Sequence, residues 1–164
     1  MTNERPAICA ACGDCCRTRP GAEEPGRFLA APDPAAALAH ALSSGDRVLA
    51  RLAGIRYPRP ATVAERATGS VHEGAEASPC VFLEEAGCRL PFADRPRMCR
   101  ELEPWANGDC QAGWDLPQVV QAWAPCQGLI EDAVRQLRFT ADLPSRIGSR
   151  DRLPRRPPHP PENP

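Results

Sequence analysis

Lysine is missing from this chain: all 20 basic residues among its 164 are arginine. That reads as a genome-composition effect. With 21 acidic residues the formal net charge is −1, which argues against a general nucleic-acid binder. Bulky apolar side chains are scarce too. Ile, Leu, Val and Phe number 28 of 164, about 17%, and alanine supplies much of the 42% hydrophobic content. So low a share occurs in disordered chains, but those also carry high net charge, which this one lacks. A core this thin calls for cross-links or a bound metal to fold well. No run approaches the ~18 apolar residues of a membrane span. The start, MTNERPAICAACGDCC, has no basic stretch followed by an apolar one, so no secretory signal is expected. The expectation is a cytoplasmic protein with neither membrane nor nucleic acid as partner. Dinucleotide loops of the G-x-G-x-x-G kind, phosphate loops and HExxH are absent as well, so no catalytic residue is assignable and enzymatic activity stays open.

What is abundant is cysteine, 9 residues, and proline, 20. Four of the thiols fall in CAACGDCC, at Cys9, Cys12, Cys15 and Cys16. A Cys-x-x-Cys step brings two sulfurs to one side of a tight turn, as metal knuckles require. Gly13 lets the backbone bend so that N–H groups face the sulfurs. Adjacent side chains such as Cys15 and Cys16 seldom reach one metal ion together, so the block is not expected to close a four-thiolate site alone. It needs sulfurs from the distal region: Cys80, Cys88, Cys99, Cys110 and Cys126. A reducing compartment and an odd number of thiols both disfavour a disulfide framework. Arg17, Arg19, Arg89, Arg95, Arg97 and Arg100 lie near cysteines in sequence, either to offset thiolate charge or as solvated surface groups.

Between the cysteine regions, Asp33 and Pro34 predict a helix start, followed by AAALAHAL, a weak point at SSGD, and a further helical run RVLARLAG ending at Gly54. Leu38, Leu42, Leu49 and Leu52 would form its apolar stripe, and RYPRP would end it. TVAERA predicts a short helix. CVFLEEAGCRL predicts a hairpin turning at Glu85-Ala86-Gly87. ADRPRMCREL predicts a short helix with Asp94 near its cap, WANGDCQAGWD a loop, LPQVVQAW a helix from near Pro117, and LIEDAVRQLRF an amphipathic helix. From Pro144 the chain holds 7 prolines in 21 residues and is expected to be disordered. The fold class expected is a small, mainly-α, irregular, metal-stabilised domain with a short β-hairpin and little regular structure around a cysteine cluster. It would span residues 1–143, with a Pro/Arg-rich tail at 144–164.

The stretches CAACGDCC (9–16), PCVFLEEAGCRL (79–90), RPRMCRELEPW (95–105) and PCQGL (125–129) resemble the YkgJ-type cysteine-cluster family, a zinc- or iron-chelating domain named for its CxxCxxCC motif. Carried over residue by residue, the resemblance implies Cys9, Cys12, Cys15, Cys16, Cys80, Cys88, Cys99 and Cys126 as metal ligands. Two departures stand out. The late motif, usually Cys-Pro-Gly, is Cys126-Gln127-Gly128 here. Cys110 has no counterpart, and is an extra ligand, a free thiol or a chance occurrence.

All-sulfur ligation selects zinc, copper(I) or iron–sulfur. Eight thiolates suit two zinc sites or iron–sulfur clusters. The nearby aromatics Phe82, Phe92, Trp105, Trp114 and Trp123 tip the expectation toward iron–sulfur by offering shelter from water, although the same residues would equally make a small core. His40, His72 and His159 read as bystanders, and Asp14 as a turn residue or an oxygen ligand to iron. The functional expectation is a metal-binding cysteine-cluster protein with a structural or accessory role. The alternative is an iron–sulfur-dependent redox or protein-modifying enzyme, or a subunit of one. Arg155-Arg156-Pro157-Pro158 would suit docking to a protein partner.

Overall fold

The structure is a computed structural model that describes residues 16–17, 20–69, 71, 78–85, 87–104 and 110–147, about half of them helical. Cys16 and Arg17 have helical backbone, and a single turn, α1 (Gly26–Leu29), follows. α2 spans Pro34–Ser43. Its start is the one the sequence predicts. The Asp33 carboxylate accepts the N–H of Ala36, and Pro34 takes the first turn, where a missing donor costs nothing.

The run RVLARLAG departs from its expectation. It forms a strand, β1 (Arg47–Leu52), paired antiparallel with β2 (Ile55–Pro60), which is built from the RYPRP segment. Leu52 pairs with Ile55, so Ala53 and Gly54 alone make the turn, with φ of 50° and 81°. Two consecutive positive φ values mark the tight turn whose twist suits a hairpin. Leu49 and Leu52 would share a helix face but take opposite faces of a strand, and Leu52 is accordingly exposed. Pro58 and Pro60 are tolerated because they pair with Leu49 and Arg47, at alternate positions where no ladder N–H is needed. The outer edge of β2 is then free to accept the N–H of Glu23 on the Pro58 carbonyl, at 3.0 Å.

α3 (Val63–Thr68) opens with a capping box: Thr62 and Glu65 each bond the other's backbone N–H, and Gly69 ends the helix at φ 66°. β3 (Leu83–Glu84) and β4 (Gly87–Cys88) form the expected hairpin. The short helix over ADRPRMCREL is shifted from its expectation. Asp94 closes a 3₁₀ turn (Phe92–Asp94), and α4 (Arg97–Arg100) begins only after Pro96. Part of the expected loop is also ordered otherwise: β6 (Cys110–Ala112) pairs with β5 (Leu102–Pro104). α5 (Leu116–Trp123) starts with a capping box between Asp115 and Gln118, and after a 3₁₀ turn (Ala124–Cys126) α6 runs over Gln127–Ile147. The helix therefore continues past Pro144, and the remainder of the expected tail, with His159 and Arg155-Arg156-Pro157-Pro158, lies outside the described residues.

α6 packs along α2, and α5 packs against β2. Between them Phe28, Leu38, Val119, Trp123, Ile130 and Ala133 make the centre of a small core. Trp123 anchors it. Its ring lies 6.1 Å from that of Phe28, and its indole N–H donates to the Glu23 carbonyl at 2.7 Å. That bond, together with the one on Pro58, holds the segment that follows Cys16 onto the core.

Candidate metal centre

Cys80 is placed by backbone. Its N–H donates to the Cys16 carbonyl at 2.7 Å, and it forms an antiparallel bridge with Thr62. On either side Val63 donates to the Pro79 carbonyl and Val81 to the Ala61 carbonyl, so the residue is clamped on α3's entry and buried. α3's entry is itself rigid. The Glu65 carboxylate, fully buried, takes Arg59 on both oxygens at 2.6 and 2.9 Å and the Thr62 N–H at 2.9 Å. Burial pushes the Glu65 carboxyl up, but the Arg59 and Thr62 hydrogen bonds outweigh it and leave the group a stronger acid than usual.

Cys88 stands on β4 opposite Leu83. A hydrogen bond from the Cys16 side chain pulls its thiol pKa down to about 6; partial burial opposes the shift, while the Leu90 N–H and the Arg95 and Arg89 guanidinium groups add to it. Such a group is mostly thiolate at neutral pH, the form that binds metal. Arg95 is fixed beside it, donating to the carbonyls of Leu90 at 3.1 Å and Cys88 at 3.5 Å and lying 5.9 Å from the Phe92 ring. Arg89 and Arg47 both lie over the buried ring of Phe82, at 5.1 and 5.5 Å.

Cys99 lies in α4, where its N–H bonds the Pro96 carbonyl at 2.9 Å. Its sulfur sits against Gly21, five residues beyond Cys16. Two further links hold this contact: Met98 donates to the Ala22 carbonyl, and Arg100 pairs with Glu24. Cys126 is placed differently. Its thiol bonds back to the Ala122 carbonyl one turn earlier, at 3.7 Å, and packs on the apolar core. Cys110 contributes β6 backbone opposite Pro104.

The structure thus brings Cys16, Cys80 and Cys88 together and sets Cys99 on the segment leading away from Cys16. Cys9, Cys12 and Cys15, with Asp14, Arg19, His72 and Trp105, lie outside the described residues. Among the described residues no three His, Cys, Asp or Glu side chains form a group that could hold a metal ion. The chemistry of these thiols would fit a metal: sulfur groups, one already acidic, with the Arg89 and Arg95 guanidinium groups beside it to balance thiolate charge. Of the arginines near cysteines, Arg89 and Arg95 act on a thiol. Arg97 pairs with Glu101 and stacks on Trp114, and Arg100 pairs with Glu24. Trp114 and Trp123 belong to the core. His40 is exposed on α2.

Sequence reasoning missed Gly21, Glu23 and Arg47. Glu23, buried, takes Arg47 at 2.8 Å and Arg27 at 3.3 Å. A glutamate in a loop-like stretch and an arginine in an apparent helix carry no signal of such a meeting across 24 positions.

Cys16 of the N-terminal block thus meets Cys80 and Cys88 of the distal region, as a metal-chelating class of protein would require. The chain belongs to the CxxCxxCC family, described as "putative zinc- or iron-chelating domain", whose pattern matches residues 8–115. The match ends before Cys126. No curated protein and no solved structure matches the chain. Among the described residues no helix is long and apolar enough to cross a membrane.

Proposed function

We propose that this chain holds a thiolate-bound metal, iron as an iron–sulfur group in the favoured form and zinc in the other, in a structural or accessory role. The supporting observation is the meeting of Cys16 with Cys80 and Cys88: one residue of the N-terminal block bonded to two distal cysteines by backbone and side chain. Cys9, Cys12 and Cys15 precede Cys16 directly in sequence and complete the donor set with Cys99. Cys126 belongs by resemblance, not by geometry. When bound, zinc supplies structural cross-linking, and iron–sulfur adds electron transfer. The chain's own residues hold the sulfurs as thiolates, and Arg89 and Arg95 offset their charge. The buried Phe82 ring, next to both Cys80 and the β3–β4 hairpin, favours a cluster shielded from water.

The test is metal content and visible absorption of protein prepared without oxygen. Iron with inorganic sulfide and visible colour gives the favoured form; zinc without colour gives the other; neither metal refutes the reading. Cys16→Ser and Cys88→Ser should each weaken metal binding by more than about a hundredfold, above the roughly 10–100-fold loss typical of supporting groups around a site. Cys110→Ser should leave binding within about twofold, and Cys126→Ser should cost the least of the eight sulfurs. A Cys110→Ser loss as large as that of Cys88→Ser overturns the assignment of sulfurs.

A further inference from the structure

Gly21 is buried, and a Cβ added to it would fall 2.5 Å from the Cys99 sulfur, 3.0 Å from the Cys99 nitrogen and 3.2 Å from the Met98 Cβ. No real Cβ tolerates the first of these distances, so something must move. The backbone on both sides is pinned. On one side, Glu23 is held by Trp123, Pro58, Arg47 and Arg27, and Glu24 by Arg100. On the other, Cys99 is held by the Pro96 carbonyl, and Met98 by the Ala22 carbonyl. The shortest of the three contacts is the one to the sulfur. A cysteine has one side-chain torsion before its sulfur, so relieving the clash re-aims the thiol itself.

We propose that Gly21 is a positioning residue for the metal centre: its bare Cα is what permits the Cys99 sulfur to point where it does. The inference rests on the thiolate-metal reading above and deepens it. It adds to the cysteines a residue that carries no donor atom yet sets the aim of one. It also gives the segment 20–24 a purpose beyond linking Cys16 to α1. The salt bridges of Glu23 and Glu24 fix the height of that segment, and Gly21 turns that height into a thiol direction.

A double-variant cycle on the full chain tests it: unsubstituted, Gly21→Ala, Cys99→Ala and both together. Cobalt(II) serves as probe, with thiolate-to-metal absorption reporting both affinity and sulfur ligation, and melting of each metal-free variant reporting folding. Gly21→Ala is expected to weaken cobalt binding about tenfold or more and to lower the thiolate absorption per bound metal, as loss of a supporting group does. In the Cys99→Ala background the same substitution is expected to change binding less than twofold, because the sulfur it displaces is gone. Gly21→Ala binding like the unsubstituted chain overturns the inference, and so does an equal loss in both backgrounds. If Gly21→Ala fails to fold, the doubly substituted chain must fold better than it, since only the contacts of 3.0 Å to the residue-99 nitrogen and 3.2 Å to the Met98 Cβ remain; a double variant equally unfolded refutes the idea. An unsubstituted chain that takes up no cobalt defeats the metal reading and this inference together, whereas a chain that binds cobalt but ignores Gly21 defeats this inference alone.

Discussion

Glu65 shows what a single buried side chain does for the site. It carries no donor to metal, yet its carboxylate closes α3's capping box, binds Arg59 through two oxygens and so fixes the strand-like stretch to which Cys80 is bridged. Replacing it by Gln leaves the Arg59 guanidinium, itself largely buried, without its counter-charge. Loss of one partner of such a pair costs about 3 kcal/mol. The carboxyl's folded pKa lies below its ordinary value of 4.5. Its contribution is therefore complete above the unfolded value and drains away as pH falls through the lower folded one. Melting profiles from pH 7 to pH 3 should show the unsubstituted chain losing stability below about pH 4.5. Glu65→Gln should start lower and lose less over the same acid range. Equal acid slopes in the two proteins would remove Glu65 from this role. None of this is visible in TVAERA beyond the cap itself: the Thr-x-x-Glu spacing announces the capping box, but nothing local says that Arg59 lies beside it. The thiols divide the same way. Cys16, Cys80, Cys88 and Cys99 are expected as partners from their motif, while the acidity of Cys88 depends first on the Cys16 side chain and then on Leu90, Arg95 and Arg89, which only the fold brings alongside.

At the scale of elements, the β1–β2 hairpin is where local pattern misleads. Leucines three and four apart around SSGD suit a helix, and the turn that defeats it, Ala53-Gly54, lacks the Asn-Gly or Asp-Gly signal of a two-residue hairpin. Ala53 holds φ 50°, a region that costs an L-residue with a Cβ about 1–2 kcal/mol. Asparagine visits it more readily, so Ala53→Asn is expected to stabilise the domain by about 0.5–1 kcal/mol. That should raise Tm by about 2–4 °C, measured on the metal-loaded protein; a lower Tm would show the turn is not strained in the way described. The helices fare better. α2 begins at Asp33 as expected, and α3, α5 and α6 begin within two residues of the runs TVAERA, LPQVVQAW and LIEDAVRQLRF, because helix periodicity and capping are contacts within three or four residues. β5 and β6 were illegible for the opposite reason: Cys110 opposite Pro104 is a pairing without alternation of apolar and polar residues.

On the scale of the whole molecule, the apolar core among the described residues is drawn mainly from α1, α2, β1, β2, α5, α6 and the few residues between them, with Trp123 at its centre. The stretch 78–104, which holds Cys80, Cys88 and Cys99, contributes only Met98 to it. The Arg100–Glu24 ion pair, the hydrogen bond from Arg27 to the Asp94 carbonyl and the backbone bond from Cys80 to Cys16 do that joining instead. A metal across these thiols is therefore expected to stabilise the fold strongly. At a thousandfold excess over Kd the linkage is about 4 kcal/mol. Removing metal with a chelator under reducing conditions should accordingly lower Tm by about 10 °C; an unchanged Tm would show that the fold closes without it. By itself the sequence determined the family, the helices α2, α3 and α5 and the β3–β4 hairpin, because each is written in residues close together or in a motif of fixed spacing. The tertiary structure alone decided that Gly21 lies under Cys99, that Glu23 and Glu65 are buried against distant arginines, and that RVLARLAG is a strand. Each of these depends on which surface a segment meets after the chain has folded back, and burial, steric exclusion and charge pairing across tens of residues leave no periodicity to read.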